Sequence, residues 1–255
     1  MSEDAVLIER RERILVMTLN RPDQRNAVNA ALAGGLAAGL DELDADDGLS
    51  IGVITGAGKG FCAGMDLKAF VAGESPHVPG RGFAGIAERS AAKPLIAAVE
   101  GFAVAGGLEV ALACDLICAA RGARLGIPEV KRGLVAAGGG LLRLPKGLPR
   151  NVAMEMALTG DPILAERAAE LGLVNRLAEP GEALPVALEL AGAIAVNGPL
   201  ALAASKRILT EASDWPEAEF FTRQKEISGP IMASEDAREG ATAFAEKRPA
   251  VWKGR

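Results

Sequence analysis

One histidine, three cysteines and a net charge of −5 leave several classes of chemistry short of the groups they need. A hydrolytic triad would have to use His77, which lies in the loop Gly73-Glu-Ser-Pro-His-Val-Pro-Gly80 with nothing placed to orient its ring, so it reads as a solvated loop residue. Cys114 and Cys118 are four apart, but no further Cys or His completes a metal set, and with Cys62 they read as reduced core thiols of a cytoplasmic protein. The acidic balance provides no general positive field for a nucleic-acid backbone, so any bound phosphate must be held locally. The start, Met1 to Leu7, is acidic and lacks the basic and apolar regions of a secretory signal. The longest apolar stretch, Ala103 to Ala120, is interrupted by Glu109 and Asp115, against a membrane span. No sequence repeat and no low-complexity tract is visible.

What the chain does have is apolar bulk. Of 255 residues, 49% are apolar and 24% charged, enough for a sizeable core in one large domain or a domain with an appendage. Val6 to Ile8 and Ile14 to Leu19 read as strands of a hairpin across a charged turn. Asn29 is placed to cap a helix that puts Leu32, Leu36, Leu40 and Leu43 on one face. Ile51 to Thr55, Pro94 to Val99 and Leu116 to Ala120 read as strands, with a helix over Gly106 to Ala113, an alternation that argues for α/β architecture with parallel pairing. Past Gly139 helices dominate, apart from a strand expected at Leu173 to Leu177. Three helices are expected near the end, over Pro199 to Glu211, Pro216 to Ile227 and Ser234 to Lys247, as an appendage that packs on something else. Gly73 to Gly85, rich in Gly and Pro, reads as a mobile loop.

The Gly56-Ala-Gly-Lys-Gly60 loop after a strand resembles a phosphate-binding turn, but the spacing fails. Phe61 stands where a dinucleotide fingerprint needs its third glycine, and Val53 and Gly60 stand where a P-loop needs Gly and Ser or Thr. Glu109 is the stronger signal. A carboxylate inside Val104-Ala-Gly-Gly-Leu-Glu-Val-Ala-Leu-Ala-Cys114 is costly to bury unless paired or used, although a helix-surface or ion-paired glutamate is an equally simple reading. Glu129, in Leu125-Gly-Ile-Pro-Glu-Val130, is similar on a strand-to-turn segment. Glycines in Phe61 to Leu67 and at Gly106-Gly107 would let two backbone N–H groups converge on one oxygen, or serve only tight packing.

Together, Thr55 to Leu67, Lys93 to Gly101, Ala105-Gly-Gly-Leu-Glu109 and Cys114-Asp-Leu-Ile117 resemble, in order, successive signatures of the crotonase (enoyl-CoA hydratase/isomerase) superfamily. Arg21-Pro, Arg25-Asn-Ala27, Gly133-Leu, Gly138-Gly139 and Arg143-Leu-Pro145 extend the likeness nearly end to end. Pro79 to Gly85, Arg143 to Pro149 and Ala243 to Arg255 resemble the carnitinyl-CoA dehydratase branch more narrowly. The chain departs from the family in Ala105, where a third glycine is common, and in Val135-Ala136-Ala137, where a proline is usual.

The resemblance implies an α/β spiral of ββα units over residues 1–198 and a helical oligomerisation region over 199–255. It implies Glu109 and Glu129 as the catalytic carboxylates and the amides of Met65 and Gly106 as the oxyanion hole. Arg25, Ala27, Ala63, Asp66, Leu67 and Lys68 would contact substrate or CoA. Retention of both glutamates favours hydration of a 2-enoyl-CoA, or dehydration of a 3-hydroxyacyl-CoA, over double-bond isomerisation or acyl-CoA binding without turnover. The resemblance further implies no metal and no cofactor beyond the CoA carried by the substrate. It implies a homotrimer or a dimer of trimers, while the acidic balance argues against nucleic acid as partner and the interrupted apolar stretch against a membrane.

Overall fold

The computed structural model describes residues 4–255, so Met1 to Glu3 of the acidic start lie outside the described residues. Strand β1 (Val6–Arg11) turns at Glu12 and Arg13 into β2 (Ile14–Leu19), the antiparallel hairpin expected from sequence. Next comes α1 (Ala30–Ala45), where the Asn29 side chain accepts a hydrogen bond from the Leu32 N–H at 3.0 Å. Leu32, Leu36, Leu40 and Leu43 are all fully buried. β3 (Ile51–Gly56) follows, then α2 (Leu67–Val71) and the short hairpin β4 (His77–Val78) and β5 (Gly82–Phe83).

The middle of the chain repeats one backbone path. β6 (Leu95–Val99) leads through Gly101 into β7 (Phe102–Val104) and α3 (Gly106–Leu112). β8 (Leu116–Ala120) leads into β9 (Arg124–Gly126) and a 3-10 turn at Pro128–Arg132. Each long strand joins one large sheet and each short strand a small one, in which β7 and β9 pair in parallel and Cys62 bridges in parallel to Ala103 from an earlier turn. That is a spiral of ββα turns. No sequence repeat betrays it because the turns share a path, while each packs different side chains.

The large sheet has the order β1-β2-β3-β6-β8-β11, with β11 at Arg176–Ala178, and is parallel apart from β1. Side chains alternate across it, as the two-residue period of a strand requires. Leu95, Ala97 and Val99 enter the main core, whereas Ile96 and Ala98 join Ile51, Val53 and Cys118 beneath Ala187, Ala191 and Ala195 of a later helix. Helical cover on both faces explains why these strands are continuously apolar.

Helices α4 (Gly140–Gly147) and α5 (Arg150–Thr159), strand β10 (Ile163–Leu164) and helix α6 (Ala165–Glu170) precede β11, and α7 (Ala183–Ala195) is the helix on the sheet. α8 (Pro199–Glu211), α9 (Phe220–Met232) and α10 (Glu235–Glu246) complete the chain. Among the described residues no single helix is long and apolar enough to cross a membrane.

Three expectations change. The strand placed at Leu173 to Leu177 begins only at Arg176: Leu173 and Val174 are buried in a turn whose N–H groups bond to Ala168, so their apolarity reflects packing. The helix expected from Pro216 opens as a 3-10 turn at Glu217–Glu219 and runs past Ile227 to Met232. The Gly73 to Gly85 segment is no free loop in its second half: Arg81 is buried in an ion pair with Asp41, and Gly85 packs on α1, where a methyl would lie 2.5 Å from the Ala33 carbonyl oxygen.

Candidate active site

The spiral returns to the same place at the end of each short strand. Met65 follows the Cys62 bridge, Gly106 follows β7, and Glu129 follows β9. Parallel pairing stacks these positions side by side, at the carboxyl ends where open parallel sheets form their crevices.

Glu109 lies one turn into α3, with all seven residues of that helix buried. Its Oε1 accepts the Gly140 N–H at 2.9 Å, and the nearby Gly138 amide also favours the charged form. A methyl on Gly138 would stand 2.5 Å from Oε2 of this carboxyl, and one on Gly140 3.1 Å from Oε1. The glycine run ahead of α4 is therefore a cradle for the carboxyl. Burial pushes the Glu109 carboxyl up from its ordinary value, opposed by the two amides and by the charge of Arg143.

Glu129 is less well served. Its Oε2 is buried without a hydrogen-bond partner among the described residues. Burial raises this carboxyl, its own backbone N–H lowers it, the charge of Glu109 raises it further, and Arg132 lowers it, with burial prevailing. One carboxyl is thus cradled by amides of the glycine run, and its neighbour has one buried oxygen without a donor.

The Met65 and Gly106 amides are brought together by Gly64. Its φ is +94°, and a methyl there would meet the Ala105 Cβ at 2.8 Å and the Gly106 nitrogen at 3.0 Å. In the parallel bridge to Val28 the bonds run through the Gly64 carbonyl and the Asp66 N–H, which leaves the Met65 N–H pointing away. Gly106 is the first residue of α3 and its N–H has no intrahelical partner. Ala105, which departs from the family's glycine, adopts φ +52° and ψ −133°, a conformation L residues rarely take.

A cleft of about 690 Å³ runs past Arg25 and Ala63, and Lys59 and Arg124 line it as well. Neither cation stands out in the sequence as a phosphate ligand. Lys59 lies in the loop whose spacing failed as a nucleotide motif, and Arg124 is carried there by β9. Ala27, Asp66, Leu67 and Lys68 are not on its walls. Asp66 caps α2 and pairs with Arg21 at 3.0 Å, the Ala27 carbonyl accepts from the same guanidinium, and Leu67 and Lys68 are exposed on α2. A second cavity of about 400 Å³ opens beside Glu129, walled by Ile127, Val135, Ala136, Leu144 and Met154. Val135 and Ala136 belong to the segment that departs from the family pattern.

His77 is exposed, with its ring edge-on to Phe83 at 5.8 Å, and none of the three cysteines forms a disulfide. No cluster of three or more His, Cys, Asp or Glu suited to a metal occurs among the described residues.

A family model described as enoyl-CoA hydratase/isomerase matches residues 9–255. The chain belongs to the enoyl-CoA hydratase/isomerase family. Every candidate residue lies inside the matched span. An enoyl-CoA hydratase of Mycobacterium tuberculosis is 41% identical, aligned over 98% of this chain and 96% of its own. A carnitinyl-CoA dehydratase of Shigella flexneri is 44% identical over the whole of both chains. Among solved structures, an enoyl-CoA hydratase of Mycobacterium marinum is 61% identical, covers 99% of this chain and 100% of its own, and superposes with a TM-score of 0.97. The crotonase-type spiral implied by the sequence motifs is the fold these structures share.

Proposed function

We propose that the chain reversibly adds water across the double bond of a 2-enoyl-CoA, with Glu109 as base and Glu129 as acid. The observation that carries this assignment is the unequal treatment of the two carboxyls. Oε1 of Glu109 accepts the Gly140 N–H, which favours its charged form, and Glu129, although its own N–H favours the carboxylate, has Oε2 buried without a donor beside the Glu109 charge, which favours the protonated form. In hydration, Glu109 takes a proton from water as the oxygen bonds to the β-carbon. The π electrons move toward the thioester oxygen, where the Met65 and Gly106 N–H groups meet the developing charge. Glu129 then delivers its proton to the α-carbon, and dehydration is the reverse. The protons belong to the pair, which is reset by exchange with water.

The CoA moiety enters as part of the substrate, its phosphates met in the 690 Å³ cleft by Arg25, Lys59 and Arg124. The acyl group extends into the 400 Å³ cavity beside Glu129. Relatives named carnitinyl-CoA dehydratase raise the question of a trimethylammonium tail. The cavity has no aromatic side chain, its one acidic group is Glu129, and Arg150 lines it, so an uncharged tail is better supported. Residues 199–255 serve assembly in this reading, as a homotrimer or paired trimers, because α8 to α10 and the segment after them expose Leu209, Phe221, Met232, Phe244 and Val251.

The test compares Glu109→Gln and Glu129→Gln with the parent on crotonyl-CoA in oxygen-labelled water. Each variant is expected to lose about 10²–10⁴-fold in turnover while keeping acyl-CoA affinity, and the parent is expected to place label at the β-carbon. Parental rates in both variants would overturn the two-carboxyl assignment, and double-bond migration without label would point to isomerisation. On the same assay crotonobetainyl-CoA is expected to be the poorer substrate.

A further inference from the structure

Arg143 lies one turn into α4, three residues beyond Gly140, and its side chain returns over the glycine run that holds Glu109. Its Nη2 donates to the Ala87 carbonyl at 2.6 Å and its Nη1 to the Gly138 carbonyl at 3.5 Å. Gly139 is left-handed at φ +98°, and any side chain there would overlap Nη1. Ala87 belongs to the buried segment that also carries Phe83, whose ring packs on Gly106. One half-buried guanidinium therefore ties together the Glu109 cradle, α4 and the segment beside the Gly106 amide.

Its charge has few other partners. Both hydrogen-bond acceptors are neutral carbonyls. Burial works against the guanidinium charge, and Glu109 is the foremost group that supports it. Around Glu109 the charged or titratable groups are Glu129, with Arg132 beyond it, and Arg143. Behind the guanidinium, Cys114, Asp115 and Lys206 line a shared cleft with it, and Asp115 and Lys206 pair at 2.8 Å. Arg143 is the only cation that acts directly on Glu109 among the described residues.

We propose that Arg143 is a positioning residue for the base: it clamps the Gly138 to Gly140 cradle against Ala87 and keeps Glu109 in its carboxylate form. The proposal rests on the reading of Glu109 as base, and it assigns the guanidinium no contact with substrate. Removing the charge leaves Glu109 buried with amides alone, so its proton is harder to remove and the base is ready only at higher pH. Removing the clamp lets the cradle drift, and displacement of a catalytic group by about 1 Å costs on the order of 10²-fold in rate.

The experiment uses the full chain with Arg143→Met and Arg143→Lys, measuring kcat/KM for crotonyl-CoA against pH together with the thermal midpoint. For Arg143→Met the acid limb is expected to move up by about half a pH unit, because the positive charge that favours the carboxylate is gone. The plateau should fall by about 10–100-fold with KM nearly unchanged. Arg143→Lys keeps the charge and is expected to restore the acid limb and part of the plateau. A purely structural clamp would lower the midpoint and the rate in the methionine variant and leave the limb in place. Infrared difference titration of the Glu109 carboxyl, with Glu109→Gln as the subtraction control, reads the same shift without turnover. Failure of the parent to hydrate any enoyl-CoA would sink the functional reading, and the infrared titration would still decide the role of Arg143. A folded Arg143→Met protein whose Glu109 titrates as in the parent overturns the proposal. If that variant does not fold, the titration of Arg143→Gln decides in its place.

Discussion

At the residue scale, the Gly106 amide and the Phe83 ring are two parts of one device. A methyl on Gly106 would lie 2.5 Å from the Phe83 Cζ, so crowding arises from the protein itself. Gly106→Ala is expected to lose stability and turnover together. Adding Phe83→Leu, which removes the far end of the ring, should recover both in part, and a positive coupling in the four-protein cycle of midpoints and kcat values checks it. Additive losses would mean that ring and methyl never meet. Glu129 makes a second residue-scale case, because an acid kept without a partner costs the fold. Its folded value is raised, so the folded protein holds the proton over a pH window where the unfolded chain has released it. Stability from this group is complete below the unfolded value and is lost as pH rises through the folded one. Glu129→Gln should therefore raise the thermal midpoint at pH 8, by about 2–4 °C for each kcal/mol recovered, with the gain shrinking toward pH 4. A calorimetric series across pH reads the slope, and an equal gain at both ends would refute the titration argument.

At the element scale, the site depends on how helices are fastened to the sheet. Asp115 accepts the Leu95 N–H at 2.7 Å and pairs with Lys206 of α8 at 2.8 Å, and Lys206 also donates to the Lys93 carbonyl at 2.9 Å. These side chains are largely shielded from water, so the pair is worth more than a surface ion pair. Lys206→Met is expected to cost about 1–3 kcal/mol in urea unfolding, because it leaves Asp115 half-satisfied. Hydrogen exchange should speed up in α8 and remain slow in β6. Loss of protection spread evenly over the chain would show that α8 is not separately fastened. The Trp252 ring does similar work for the end of the chain: its indole N–H donates to the Val196 carbonyl at 2.8 Å and its ring covers Gly198 and Gly240.

At the scale of the whole molecule, α9 buries none of its side chains in the single chain. Phe221, Met232 and Phe244 face outward on α9 and α10, as does Leu209 on α8. Apolar surface of that kind favours association between copies. Light scattering is expected to give an oligomer for the full chain, and removal of residues 199–255 should leave insoluble or monomeric, inactive protein. A full-length monomer that stays soluble and hydrates crotonyl-CoA would separate assembly from activity.

How much of this the sequence alone carried depends on the range of the interactions involved. The leucines of α1, its Asn29 cap and the β1–β2 hairpin were legible because each rests on residues a few positions apart. The ordered motifs from Thr55 to Ile117 sufficed for the family, and the pair Glu109 and Glu129 followed from matching its pattern. Local pattern could not show that Gly138 and Gly140 face the Glu109 carboxyl or that Phe83 stands against Gly106. Nor could it show that Arg143 reaches Ala87, 56 positions away. For the same reason the sequence does not show that Lys59 and Arg124 line one cleft, or that Asp66 caps α2 and pairs with Arg21. Most of the helices and strands can be read from the chain, since periodicity and capping act between residues a few positions apart, and the two carboxyls are singled out by the family resemblance. That Glu109 meets the amides of a distant glycine run while one oxygen of Glu129 lacks a donor is a property of the fold, because those segments meet only through the stacked turns of the spiral.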